Sequence, residues 1–277
     1  MDFLKFPTVY HKDVIDLFGE DYPDPLIPMT WREVMDLARK MTKEQDGTQY
    51  IGLAGMSSFA LNQFAPTATD PDTGEVLINK NDAYKKYFDL IEEFYNIPGI
   101  KEEEDLANTF PEKRAAMTIA TNTGLTWLAG DDPKPIDLVP FPVWADQPTI
   151  GPIAGTTPMI ITNYSENKEM ALEVIKAYFT PNILLSQVRS GGTVPPVADP
   201  ELHKQYAAEV EIYKGKNLDA YYVLERETPE GRVSRWDDYV DLVSAEEAIK
   251  EGEDVVTALR KLEEESVSKI KEAMATN

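Results

Sequence analysis

Residues 110–127, FPEKRAAMTIATNTGLTW, restrict the fold of this chain more than any other stretch. Met117, Thr118, Ile119 and Ala120 are compact, largely β-compatible, and bounded too closely for a helix of ordinary length, so the run reads as a short buried strand. Thr121, Asn122, Thr123 and Gly124 follow as a polar turn that opens a helix. A turn at the carboxyl end of a strand is where α/β proteins place their ligands. Trp127, an amphipathic ring just beyond that turn, is then set to line a cleft.

The rest of the chain alternates in the same way. Thr8, Val9 and Tyr10 read as a strand end and Lys12 to Phe18 as a helix closed by Gly19, before the Pro-rich loop DYPDPLIP. Thr30 and Glu33 form a capping box that starts a helix with Val34, Leu37, Ala38 and Met41 on one face. Trp31 in its first turn is a packing anchor. A strand over 50–54, a hairpin at DPDTGEVLIN turning on Gly74, and a long helix capped by Asp82 follow. The acids of that hairpin do not make a calcium loop, because Gly74 comes one residue early for it. Further on, 136–141 and 158–162 read as strands. Helices are expected over 163–179, with Ala171, Leu172, Ile175 and Phe179 inward, over 180–190, and from Asp254 onward. The run PVWADQPTIGPIAG lacks periodicity, as a connection between lobes would.

Totals limit the chemistry. A chain of 277 residues with 42% hydrophobic residues builds substantial cores. A formal charge of -22 argues against nucleic acid and anionic lipid, which need a basic face. No apolar run approaches the roughly 18 to 20 residues of a membrane span, and the first residues carry no export signal. Zero cysteines exclude thiol chemistry, and the two histidines, His11 and His203, have no ligand-spaced neighbours, so no metal site or cofactor is read. The fingerprints GxSxG, GxxxxGK[ST] and GxGxxG are all missing. What remains suits recognition of a sugar, which needs aromatic rings to stack on and short polar groups to bond its hydroxyls. Asn122, Thr123 and Trp127 offer that mixture, and Trp236 with Arg235 offers another; core packing is the alternative role of both rings.

The order of these segments resembles the extracellular solute-binding proteins of sugar ABC transporters, of which maltose-binding protein is a familiar member. VYHKDVIDLFG is similar to the family's YxNKDLF, MTWREVMDLARKMT to its TWdEf helix, and FPEKRAAMTIATNTGLTW to its F-x-x-G-x-x-AM-x-I-x-G-x-W segment. AGTTPMIITNYSENKEMALEVIKAYFT, GGTVPP and EGEDVVTALRKLEEESVSKI resemble its "NKEaA" region, its G-x-x-P turn and its closing helix. His11 stands at the family's Asn and Lys113 at the usual Gly of the F-x-x-G turn.

The resemblance implies an α/β, two-lobed periplasmic-binding-protein-like fold with ligand between lobes. Residues 1–146 and 205–277 would form a nearly complete C-terminal lobe and 147–204 a segment of the N-terminal lobe, of which only part is expected in this chain. Tyr10 would lie near the first hinge crossing, and Thr156 with Gly192 and Thr193 would face the 121–124 turn from the opposite lobe. The implied role is non-catalytic oligosaccharide binding for an ABC importer, with the transmembrane permease subunits as partners and a monomeric state. The full-length protein would be extracellular, as a membrane-anchored lipoprotein or periplasmic. The alternatives are a polysaccharide-processing enzyme using cleft carboxylates and a fragment that binds nothing.

Overall fold

The computed structural model describes residues 6–121, 124–128, 134–153, 158–190, 199–226 and 233–276. Strand β1 (Thr8–His11) is a run of β-branched and aromatic residues buried along its whole length. Helix α1 (Lys12–Phe18) follows directly and stops at Gly19, whose φ of 66° lets its N–H return to the carbonyls of Asp16 and Ile15. Helix α2 (Trp31–Met41) starts on the expected capping box: Glu33 N donates to Thr30 Oγ1 at 3.2 Å, and Thr30 N donates to Glu33 Oε2 at 2.7 Å. Its buried face is Trp31, Val34, Met35, Ala38 and Met41.

Strands β2 (Lys43–Gln45) and β3 (Thr48–Leu53) form a tight antiparallel pair. Short helix α3 (Phe59–Asn62) comes next, and then α4 (Asp82–Tyr95). The cap of α4 is Asn81, whose side chain accepts from Ala83 N at 2.9 Å, and not Asp82, which is already helical. Tyr84, Phe88, Ile91 and Phe94 form its buried stripe, each such side chain contributing about 1.5–3 kcal/mol on burial. Helix α5 (Leu106–Thr109) leads into β4 (Ala115–Ile119), α6 (Leu125–Leu128) and β5 (Ile136–Val139). The remaining elements are β6 (Ile150–Gly151), α7 (Lys168–Tyr178), α8 (Pro181–Ser190), α9 (Pro200–His203), β7 (Glu225–Arg226), α10 (Leu242–Lys250) and α11 (Val255–Thr276).

Five strands make one open mixed sheet in the order β2-β3-β4-β1-β5. β3 runs parallel to β4, whereas β1 is antiparallel to both β4 and β5. The carboxyl ends of β3, β4 and β5 therefore share one edge with the amino end of β1. Helix α2 lies so close on β3 that a Cβ at Gly52 would sit 2.1 Å from Ala38 O. Thr42 seals this contact, accepting from Gly52 N at 2.9 Å and donating to Ala38 O at 2.8 Å. Helices α10 and α11 pack on α4, with Val255, Leu259, Leu262 and Ile270 of α11 inward as their spacing predicts. Among the described residues no helix is long and apolar enough to cross a membrane.

Three expectations are corrected. The hairpin at 70–79 forms only in short form, turning on Gly74 at a φ of 71°: one antiparallel bridge, Thr69 to Val76, is flanked by bonds from Asp70 N to Glu75 O and from Leu77 N to Ala68 O, both at 2.8 Å, and no strand extends from it. Residues 158–162 form no strand, and Met159 and Ile160 are 40% and 77% exposed; no described strand lies alongside to complete a ladder. Helix α7 begins at Lys168 rather than 163 and has no buried residue, so Ala171, Leu172, Ile175 and Phe179 do not pack inward on any core.

Candidate ligand-binding edge of the sheet

The shared edge, where three strands deliver their carboxyl ends, carries the loops that form the candidate site. On the β3 side the chain turns at Gly55, at a φ of 100° that favours glycine, and passes through Met56 and Ser57 into α3. Ala54 N is tied to Met117 O at 2.8 Å, and the Phe59 ring stacks on Phe6 with centroids 3.6 Å apart. On the β4 side Ala120 N reaches Pro7 O at 3.3 Å, and Gly124 N closes a turn onto Thr121 O at 2.9 Å. Gly124 O then accepts from the N–H groups of Trp127 and Leu128, starting α6.

This four-residue helix is held by its flanking leucines. Leu125 is 1% exposed and Leu128 6%, a pair at i, i+3 on the buried side. Trp127 lies between them on the outer side and is 59% exposed. An indole in the open is a stacking platform for the apolar face of a ring or for a cation.

Asn122, Thr123, Thr156, Gly192 and Thr193 lie outside the described residues. Tyr10 is buried within β1, opposite Met117 and Asp137, so it sits towards the edge away from Thr8 and the candidate loops. Burial, with the Asp137 charge nearby, pushes its phenol up to about 12, and its ring packs against Tyr22. Trp236 is 4% exposed, with the Arg235 guanidinium 4.2 Å over its ring and Tyr239 beside it. The contacts of Gly74 place the indole beside Ile270 and Met274 of α11, so it presents no free face to a cleft. Sequence reading missed Gly55 and Met56 as part of the site; the available signal was a glycine directly after the apolar strand.

No group of acidic or histidine side chains suited to a metal ion occurs among the described residues. A groove of 620 Å³ runs between α2 and α4, lined by Trp31, Trp144, Arg39 and Lys86 among others. Arg39 pairs with Glu93 across it and with Asp36 on its own helix, and Lys86 pairs with Asp146.

Residues 2–182 match the family model described as bacterial extracellular solute-binding protein. The chain belongs to this family. Solved structures that share the solute-binding fold include an ABC substrate-binding protein from Listeria monocytogenes in complex with cycloalternan, 16% identical, at a TM-score of 0.70. The alignment covers 98% of this chain and 70% of that one. The cyclic α-maltosyl-1,6-maltose binding protein of Arthrobacter globiformis is 15% identical at a TM-score of 0.70, over 96% of this chain and 70% of the other. UgpB from Mycobacterium tuberculosis, in complex with glycerophosphocholine, is 15% identical at a TM-score of 0.69, with coverage of 99% and 70%. No curated protein matches the chain. At these identities the likeness establishes the α/β solute-binding fold, of which this chain spans 70% of the relatives' length.

Proposed function

We propose that this solute-binding protein binds an oligosaccharide at the carboxyl edge of its sheet and delivers it to the membrane permease of an ABC importer, without catalysis. The observation that carries this reading is Trp127, a large aromatic held 59% exposed at the strand-to-helix turn where α/β proteins bind ligands. In this reading Asn122 and Thr123 supply hydrogen-bonding groups to the ligand, as do Thr156, Gly192 and Thr193. Tyr10, Trp236 and Arg235 act in packing. The Listeria protein in complex with cycloalternan and the cyclic α-maltosyl-1,6-maltose binding protein of Arthrobacter support the ligand class.

The lobe division into 1–146 with 205–277, and 147–204 as part of the second lobe, is supported by two features. The β6–β7 pair is separate from the five-stranded sheet, and α7 has no buried residue. The exposed apolar side chains Ile160, Met170 and Val174 suit a lobe whose sheet lies outside residues 147–204. In this reading the protein is a monomer that works outside the cytoplasmic membrane, as a lipoprotein or in the periplasm.

Calorimetry with maltotetraose, cycloalternan, chitotetraose and glycerophosphocholine tests the proposal. Heat with a saccharide, and no release of reducing ends, is the expected result. Heat with glycerophosphocholine alone replaces the ligand class, and released reducing ends that vanish on substitution of one carboxylate make the protein an enzyme.

A further inference from the structure

Gln63 is a polar side chain with 0% exposure, and its carboxamide is fully used by three distant stretches of chain. Its Oε1 accepts from Trp31 Nε1 at 2.9 Å, and its Nε2 donates to Pro142 O at 2.9 Å and to Ile150 O at 2.8 Å. Turning the amide over would set its NH2 against the indole N–H and its oxygen against two carbonyls, so these partners fix its orientation. Residue 63 ends α3, the short helix whose first residue, Phe59, lies at the candidate ligand edge. The same helix accepts a second bond, Trp144 Nε1 to Ala60 O at 2.9 Å.

Ile150 is the first residue of β6, which pairs in parallel with β7: Ile150 opposes Glu225, and Glu225 N donates to Thr149 O at 2.9 Å. The ribbon is drawn tight, since a Cβ at Gly151 would lie 3.2 Å from Glu225 O. Through Gln63, the C-cap of α3, the helix is thus bonded both to the segment that follows β5 and to the ribbon.

We propose that Gln63 is the positioning residue that couples the ligand edge to the crossover ribbon, so that a shift of α3 on ligand contact moves β6 and β7. This rests on the reading that the ribbon carries the chain between lobes. A buried amide whose partners lie 32, 79 and 87 residues away holds these segments in one register more strictly than apolar contact would, because each partner left unpaired is a buried polar group without water.

Hydrogen–deuterium exchange on the full chain tests it, comparing wild type with Gln63→Met and with the milder Gln63→Asn, which keeps the amide but shortens its reach. Peptides across 145–153 and 221–226 are expected to exchange about tenfold faster or more in the Met variant, with 115–119 of β4 unchanged. The Asn variant shifts the same two peptides by less, and decides the matter should the Met variant not fold. Equal acceleration in all three peptides, or none, overturns the coupling and leaves Gln63 a core residue. Small-angle scattering with maltotetraose separates the two ideas. Wild type that does not contract removes the interlobe reading while the exchange result still decides the link. Wild type and Gln63→Asn that contract alike, with equal affinity, remove the coupling.

Discussion

Lys113 turns the chain at a φ of 61°, in the left-handed region, and its N–H donates to Phe110 O at 2.9 Å to close the turn before β4. A side chain with a Cβ resists that conformation by about 1–2 kcal/mol, part of which a glycine returns as unfolded-chain entropy. Lys113→Gly is therefore expected to stabilise the protein by about 0.5–1 kcal/mol, seen as a higher urea midpoint at unchanged slope. Asp137 shows the opposite kind of residue. Burial works against its charge, but Lys12 Nζ at 2.8 Å and the N–H groups of Asn217 and Leu138, both at 2.9 Å, outweigh it and hold its carboxyl below the usual range. A depressed folded value makes its stabilisation complete above about pH 4 and lost as pH falls through that value. Asp137→Asn should cost about 1–2 kcal/mol at neutral pH, and wild type and variant should converge below pH 4 in pH-resolved denaturation.

At the level of elements, the legible parts of the sequence were those whose signal is local. The Thr30–Glu33 box, the Gly19 stop and the stripe of α4 depend on neighbours within a few residues, and the structure reproduces them. Residues 158–162 failed as a strand because a ladder needs a second chain segment that local apolar content does not supply. Helix α7 failed in the same way: its apolar spacing forms a helix, yet none of its residues is buried and Leu172 of its expected inner face stays 45% exposed. Ile160 and Val174 are 77% and 64% exposed, so the double variant Ile160→Lys, Val174→Glu should sediment as a monomer like the wild type and keep its unfolding free energy within about 0.5 kcal/mol. A large drop in midpoint would place these side chains in a core.

Across the whole molecule, the sheet order decides where the candidate edge lies, and no local pattern reveals that order. Tyr10 and Trp236 carry the right chemistry for a sugar, but β1 runs antiparallel to its neighbours and turns Tyr10 away from the loop-bearing edge, while α11 and the Gly74 turn cover Trp236. Gln63 was equally hidden, since all three of its partners are far along the chain. Trp127 was readable because the strand, turn and helix that mount it are contiguous. The direct measurement is the exchange footprint of the full chain with and without saturating maltotetraose or cycloalternan. Slowed exchange at 54–59 and 119–128, lost together with binding in Trp127→Ala, is the predicted result; binding that protects only the groove between α2 and α4, or survives Trp127→Ala unchanged, contradicts it.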